Sequence, residues 1–154
     1  MKKRLLLVLL ISIGLLTIIS CGKKEEESFK VMYEGNNITP GETLDISKFK
    51  NPYDKSEVPD CALGGTGIMY TFDDLEISTN EKNKIYSVYF INPNFKTEEG
   101  IALGDSKEDL LKAYEGIEVS KGEDTLVYKK GKVEINFVIS DNKVYSIEYT
   151  LIVE

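Results

Sequence analysis

Apolar and polar positions alternate along the second half of the chain. Val133, Ile135, Phe137 and Ile139 are spaced by Glu134 and Asn136. That is the period of two expected of a strand with one buried face. Thr125 to Lys129 reads as the strand before it, with Lys130-Gly131 as the turn. Ser140 to Lys143, "SDNK", is rich in turn formers. Val144 to Val153 reads as a third strand, with Tyr145, Ile147, Tyr149 and Leu151 on one face. The first half repeats the phrase: "KIYSVYF" from Lys84 returns as "KVYSIEY" from Lys143, and "YTFDDLEI" from Tyr70 returns as "YKKGKVEI" from Tyr128. Strands are expected there at Ile68 to Phe72, Leu75 to Thr79 and Ile85 to Ile91, with Tyr86, Val88 and Phe90 in the places of Tyr145, Ile147 and Tyr149. Such self-similarity signals a duplicated unit.

A helix is expected before the second meander. In "GIALGDSKEDLLKAYEG", Gly100 to Gly116, Asp105 or Ser106 can cap the start and Gly116 the end. Leu103, Leu110, Leu111 and Tyr114 share a face. Upstream, Pro52 and Pro59 allow only a helical turn near Leu44 to Phe49, then a loop around Cys61. Phe29 to Tyr33 reads as a lead-in edge strand. The fold class expected is therefore α+β: two tandem units, each a helix or helical turn plus a three- to four-stranded antiparallel meander. The globular domain runs from 29 to 154, in halves of about 29–92 and 93–154.

The N-terminus follows another pattern. Lys2, Lys3 and Arg4 precede fifteen uncharged residues, Leu5 to Ile19. A basic start and an apolar run make a secretory signal, 1–20. As a helix the run spans about 22 Å, short against a bilayer core of about 30 Å. Ile18-Ile19-Ser20-Cys21 resembles the lipobox of bacterial lipoproteins. The resemblance implies a diacylglyceryl thioether on Cys21 and cleavage between Ser20 and Cys21. At about 0.8 kcal/mol per buried CH2, two acyl chains supply on the order of 20 kcal/mol of anchoring. Residues 21–28, with "GKKEEES" after the cysteine, form a charged tether without the apolar content to fold alone.

Composition narrows the chemistry. Residues 1–20 carry three of the 19 basic residues and none of the 26 acidic ones, so 16 lysines face 26 carboxylates thereafter, a net charge near −10. That disfavours nucleic acid, which needs a basic patch. Beyond residue 20 there is no Arg, His or Trp. The commonest general base and metal ligand is missing, as is the bidentate phosphate clamp. With Cys21 lipidated, Cys61 has no partner for a disulfide and no His to activate it, and reads as a small buried hydrophobe.

The helix-entry phrase "LGDSKEDLL" and the closing "NKVYSIEY" together resemble the β-lactamase-inhibitory-protein-like fold and the related small outer-membrane-assembly lipoproteins. They are also similar to lipoproteins of Gram-positive anaerobes. The resemblance covers Phe29 to Glu154 and implies fold more than activity. In the inhibitory member the sheets form a concave face that grips a protein. This chain lacks that member's disulfides and Trp-rich surface, so β-lactamase inhibition does not carry over.

Other motifs carry little. "GGTG", Gly64 to Gly67, lacks the GK[ST] ending of a phosphate loop and precedes a strand. Asp54, Ser56 and Asp60 have a faint calcium-loop spacing without its central Gly and closing Glu. Asp73-Asp74 reads as a hairpin turn.

The expected function is a lipid-anchored protein on the extracytoplasmic face of the cell membrane. It is expected to be a non-enzymatic module binding an unidentified protein or envelope component, with no cofactor, metal or catalytic residue. The candidate binding face is Glu134, Asn136, Ser146 and Glu148, opposite the apolar residues of their strands. The alternative is a small envelope hydrolase using carboxylates or the Cys61 thiol. A transporter's solute receptor fits less well, since such receptors have two larger lobes. Mass spectrometry of the mature protein should find a diacylated Cys21 and no residues 1–20. A Cys21→Ser protein that still fractionates wholly with membranes in high salt would overturn the anchor.

Overall fold

The computed structural model describes residues 27–59 and 65–153. Cys21, the lipobox, Asp60, Cys61 and Gly64 lie outside them. No helix among the described residues is long and apolar enough to cross a membrane.

The chain is mostly β. Strands β1 (Met32–Tyr33) and β2 (Asn36–Asn37) form a small hairpin. Then come β3 (Asp54–Pro59), β4 (Thr66–Thr71), β5 (Leu75–Thr79) and β6 (Ile85–Phe90). Helix α1 (Lys107–Ala113) leads into β7 (Glu118–Lys121), β8 (Thr125–Lys130), β9 (Val133–Ser140) and β10 (Lys143–Leu151). β3 to β10 make one antiparallel sheet in the order β3-β4-β5-β6-β10-β9-β8-β7.

This corrects the expected α+β architecture of two helix-plus-meander units. The strands join into a single eight-stranded sheet because β6 pairs with β10, Tyr149 opposite Val88. Helix is scarce for local reasons. Among the described residues of the first half only Ile46–Lys48 are helical, as a 3-10 helix capped by Asp45. In the second, Gly104 takes φ 89° and Asp105 accepts from the Ala102 amide at 2.9 Å, so the helix starts only after Ser106. Ser106 accepts from the Asp109 amide at 3.1 Å, a cap worth about 1 kcal/mol. Gly116, at φ 82°, follows its end. Leu110 and Tyr114 are buried, whereas Leu111, expected on the same face, is 40% exposed.

β3 and β7 were not expected as strands. Both are edge strands and largely exposed on both faces, so neither shows the alternation of a half-buried strand. Phe29 to Tyr33 is no edge of the main sheet. Phe29, Val31 and Tyr33 are buried in the core instead.

One face of the sheet carries the core. Tyr70, Ile77, Val88, Ile147, Ile135 and Tyr128, from β4, β5, β6, β10, β9 and β8, all point into it. It is covered by the segment from Phe29 to Leu44, by α1 and by Phe95 and Ile101 of the loop after β6. Aromatic contacts tie these layers: Phe90 to Phe95 at 4.7 Å, Tyr114 to Tyr128 at 4.8 Å and Tyr33 to Phe72 at 5.2 Å between centroids. Such pairs add about 0.5–1.5 kcal/mol beyond the area they bury. The Tyr114 hydroxyl donates to Glu99 at 2.7 Å, and burial pushes its phenol far above the ordinary range.

Two irregularities re-aim side chains. The β9–β10 register slips between Val144 and Ser146, and the β5–β6 register slips beside Ile85. At these places the backbone bonds outward: Gly104 N–H to Val144 O and Gly41 N–H to Ile85 O, both at 2.8 Å. An extra residue in one strand disrupts the ladder and shifts the facing of what precedes it. Val144 and Ile85 are therefore buried, Tyr145 is 70% exposed, and Tyr86 is half-buried. The expectation that Tyr145 and Tyr86 join the core faces of their strands fails for that reason. Val88, Phe90, Ile147 and Tyr149 do join them.

The core position of Ile147, fully buried between β6 and β9, sets a stability test. Ile147→Ala should lower unfolding free energy by about 2–5 kcal/mol in denaturant titration. Leu111→Ala, at a half-exposed site, should change it far less.

Candidate functional site

The other face of the sheet bears none of the buried hydrophobic cluster. Pairing register sets its rows. One runs Thr71, Glu76, Tyr89, Glu148, Asn136, Val127 and Ser120 from β4 to β7. The next runs Met69, Ser78, Ser87, Thr150, Glu134, Lys129 and Glu118 across the same strands. Most of these side chains are half-buried by their neighbours.

All four residues expected from the alternation lie here. Glu148 stands opposite Asn136, and Glu134 is opposite Thr150 one step along. Ser146 pairs with Val138 beyond the slip in register and is only 9% exposed, so it offers a partner little surface. The Asn136 amide reaches Thr150 Oγ1 at 3.5 Å, a weak bond.

The electrostatics centre on Glu148. It sits mid-sheet on β10, between β6 and β9. Burial raises its pKa above the ordinary carboxylate range, the Ser87 hydroxyl partly opposes this, and the Glu134 charge adds to it. Glu134 itself pairs with Lys129 Nζ at 3.8 Å. Glu76 completes a set of three carboxylates on the β5, β10 and β9 strands, and Thr71 Oγ1 donates to it at 3.3 Å. The face is thus acidic, with hydroxyls between the charges and Tyr89 and Met69 as its larger apolar surfaces.

Sequence reasoning missed Glu76, Tyr89, Ser87 and Met69. Their outward alternation in β4 to β6 was visible. That they share a surface with Glu148 depends on the β6–β10 pairing, which no local pattern reveals.

Other chemistry finds less support in the geometry. Among the described residues no group of three His, Cys, Asp or Glu could hold a metal ion. Asp54 and Ser56, from the faint calcium spacing, lie two apart on the extended β3. Asp73 and Asp74 occupy the β4–β5 turn, where Phe72 N–H bonds Leu75 O at 2.9 Å. A cleft of about 410 Å3 is lined by Glu27, Ser28, Lys30, Thr39, Glu42 and Lys132 among others, with both signs of charge. Residues 27 and 28 dock here: Lys132 N–H donates to Ser28 Oγ at 3.1 Å and Lys130 Nζ meets Glu27 at 3.5 Å.

No known protein family, curated protein or solved structure matches the chain.

Glu148 makes stability pH-dependent. Because its folded pKa is raised, the folded state binds its proton more tightly than the unfolded state does. The associated stability is complete below the ordinary Glu value, about 4.3, and is lost as pH rises through the folded value. Glu148→Gln should therefore gain stability relative to the native protein between about pH 4 and 7, with little difference at pH 3. Thermal melts across that range would show it, and a difference that shrinks with rising pH would contradict it.

Proposed function

We propose that this chain is a lipid-anchored extracytoplasmic binding protein with no catalysis of its own, whose acidic sheet face takes a basic or neutral protein or envelope component. The observation that carries the reading is this face: Glu76, Glu134 and Glu148 lie on one side of an eight-stranded sheet, with Lys129 the cation paired among them. An open strand surface that buries no core needs no carboxylate at its centre. Keeping Glu148 there, against the cost of its partial burial, is a reason to look for a ligand that compensates its charge.

Electrostatic complementarity would then supply specificity and rate more than affinity. Tyr89 and Met69 supply the kind of surface that interface centres favour. The anchor follows from the lipobox and its charged context. Glu27 lies six positions after Cys21, a length of chain that can reach at most about 20 Å, so the anchor would keep the domain close to the bilayer. A membrane-held binder of this kind meets its partner at the envelope and needs no cofactor.

The test is a partner recovered from envelope extracts by the native protein, with its affinity measured in turn. Changing Glu134 and Glu148 together to Lys should weaken binding at least about tenfold, a loss of 1.4 kcal/mol. Raising salt should slow association. An affinity that ignores both charges would remove this face as the site. Turnover of a substrate by the purified protein, lost with Glu148→Gln, would instead establish the hydrolase.

A further inference from the structure

The eight-stranded sheet is open at both ends, and its two edges differ. β7 has four residues and β3 has six. All of β3 except Val58 is exposed, and no described strand pairs with its outer side. An exposed edge is a template for another strand, and Lys and Pro are the usual guards against it. β3 has both, in Lys55 and Pro59. Yet its Lys is matched two residues on by Glu57.

We propose that β3 is a self-pairing edge, and that two copies of this chain join antiparallel about a two-fold axis through Ser56. Pairing register decides the geometry. Lys55 and Glu57 lie opposite Tyr70 and Ile68 on the core side of the sheet, whereas Asp54, Ser56 and Val58 lie on the other side. A two-fold axis normal to the sheet keeps each side continuous only when it passes through a residue of β3. Centred on Ser56, it sets Lys55 against Glu57 of the second copy, twice, and Asp54 against Val58. Centred on Glu57 it opposes two glutamates, and centred on Lys55 two lysines. Like charges directly opposite destabilise a strand pair, and opposite charges stabilise it. Only centring on Ser56 or Glu57 overlaps five residues of each strand, and of these two registers the one on Ser56 is self-complementary in charge. β7 has no counterpart: centred on Val119 it opposes Glu118 to Ser120, and centred on Ser120 it opposes Val119 to Lys121.

An isologous contact of this kind closes at two copies and leaves no further β3 edge to propagate. It also sets both acidic faces on the same side of one continuous sheet. The dimer is independent of what that face binds, so its failure leaves the binding reading intact.

Charge exchange tests it. In the full-length protein, solubilised in detergent and measured by sedimentation and by energy transfer between labelled copies, the native chain should dimerise. Lys55→Glu should place Glu against Glu twice and raise the dissociation constant about tenfold or more. Glu57→Lys should do the same with lysines. An equimolar mixture of the two variants should recover a heterodimer, since each Glu then meets a Lys, and the double exchange should self-associate as the native chain does. Both positions are exposed, and unchanged melting profiles would show the variants folded. A native protein that stays monomeric from micromolar to near-millimolar concentration overturns the proposal. So does a dimer indifferent to Lys55→Glu, or a mixture no tighter than either variant alone.

Discussion

β6 and β10 meet in the middle of the sheet, with Glu148 opposite Tyr89, Tyr149 opposite Val88 and Thr150 opposite Ser87. About sixty residues of sequence separate the partners, so loop closure must be met before the contact returns anything. What it returns is large. Phe90 stacks on Tyr149 at 5.6 Å, and Val88, Ile147 and Tyr149 are all but fully buried. Without this pairing each half would be a four-stranded sheet with two more open edges and an incomplete core. With it, the segment from Phe29 to Leu44 and α1 can cover one face of a continuous sheet.

The covering layer is held by backbone as much as by packing. Gly41 and Gly104, both at positive φ, donate to Ile85 and Val144, the residues beside the two slips in register. Ile85 N–H and Val144 N–H return bonds to Glu42 O and Asp105 O at 2.8 Å. Each slip thus turns strand backbone from its neighbour toward the segment crossing it. The same shift buries Ile85 and Val144 and turns Tyr86 and Tyr145 out of the core. A β-carbon on Gly131 would collide with Ser28 Oγ, so the β8–β9 turn is shaped to receive Glu27 and Ser28.

The acidic face is where local stability is given up. Glu148 is half-desolvated at the centre of the sheet, near a second carboxylate, with a serine hydroxyl in partial compensation. On the core side Tyr149 of β10 and Tyr114 of the covering layer hold their protons because burial keeps them neutral. The two faces therefore differ in kind: one is closed by aromatic packing, while the other keeps charge, with Lys129 paired to Glu134.

Strands at Leu75 to Thr79, Thr125 to Lys129 and Val133 to Ile139 were legible, each observed to within one residue, because each buries one face, and half-burial writes a period of two into a sequence. The α1 cap and its stop were legible because Ser and Gly at those points answer local backbone needs. The alternation also placed Glu134, Asn136 and Glu148 outward. β3 and β7 were illegible, since an edge strand exposed on both sides has no burial to record. The exposure of Tyr145 was hidden by a single inserted residue, which shifts facing without altering composition. The union of two expected units into one sheet, and with it the gathering of Glu76, Tyr89 and Glu148, was decided only in three dimensions. Any two strands of similar apolar content can satisfy each other's backbone, and which two do so depends on the layer they must jointly cover.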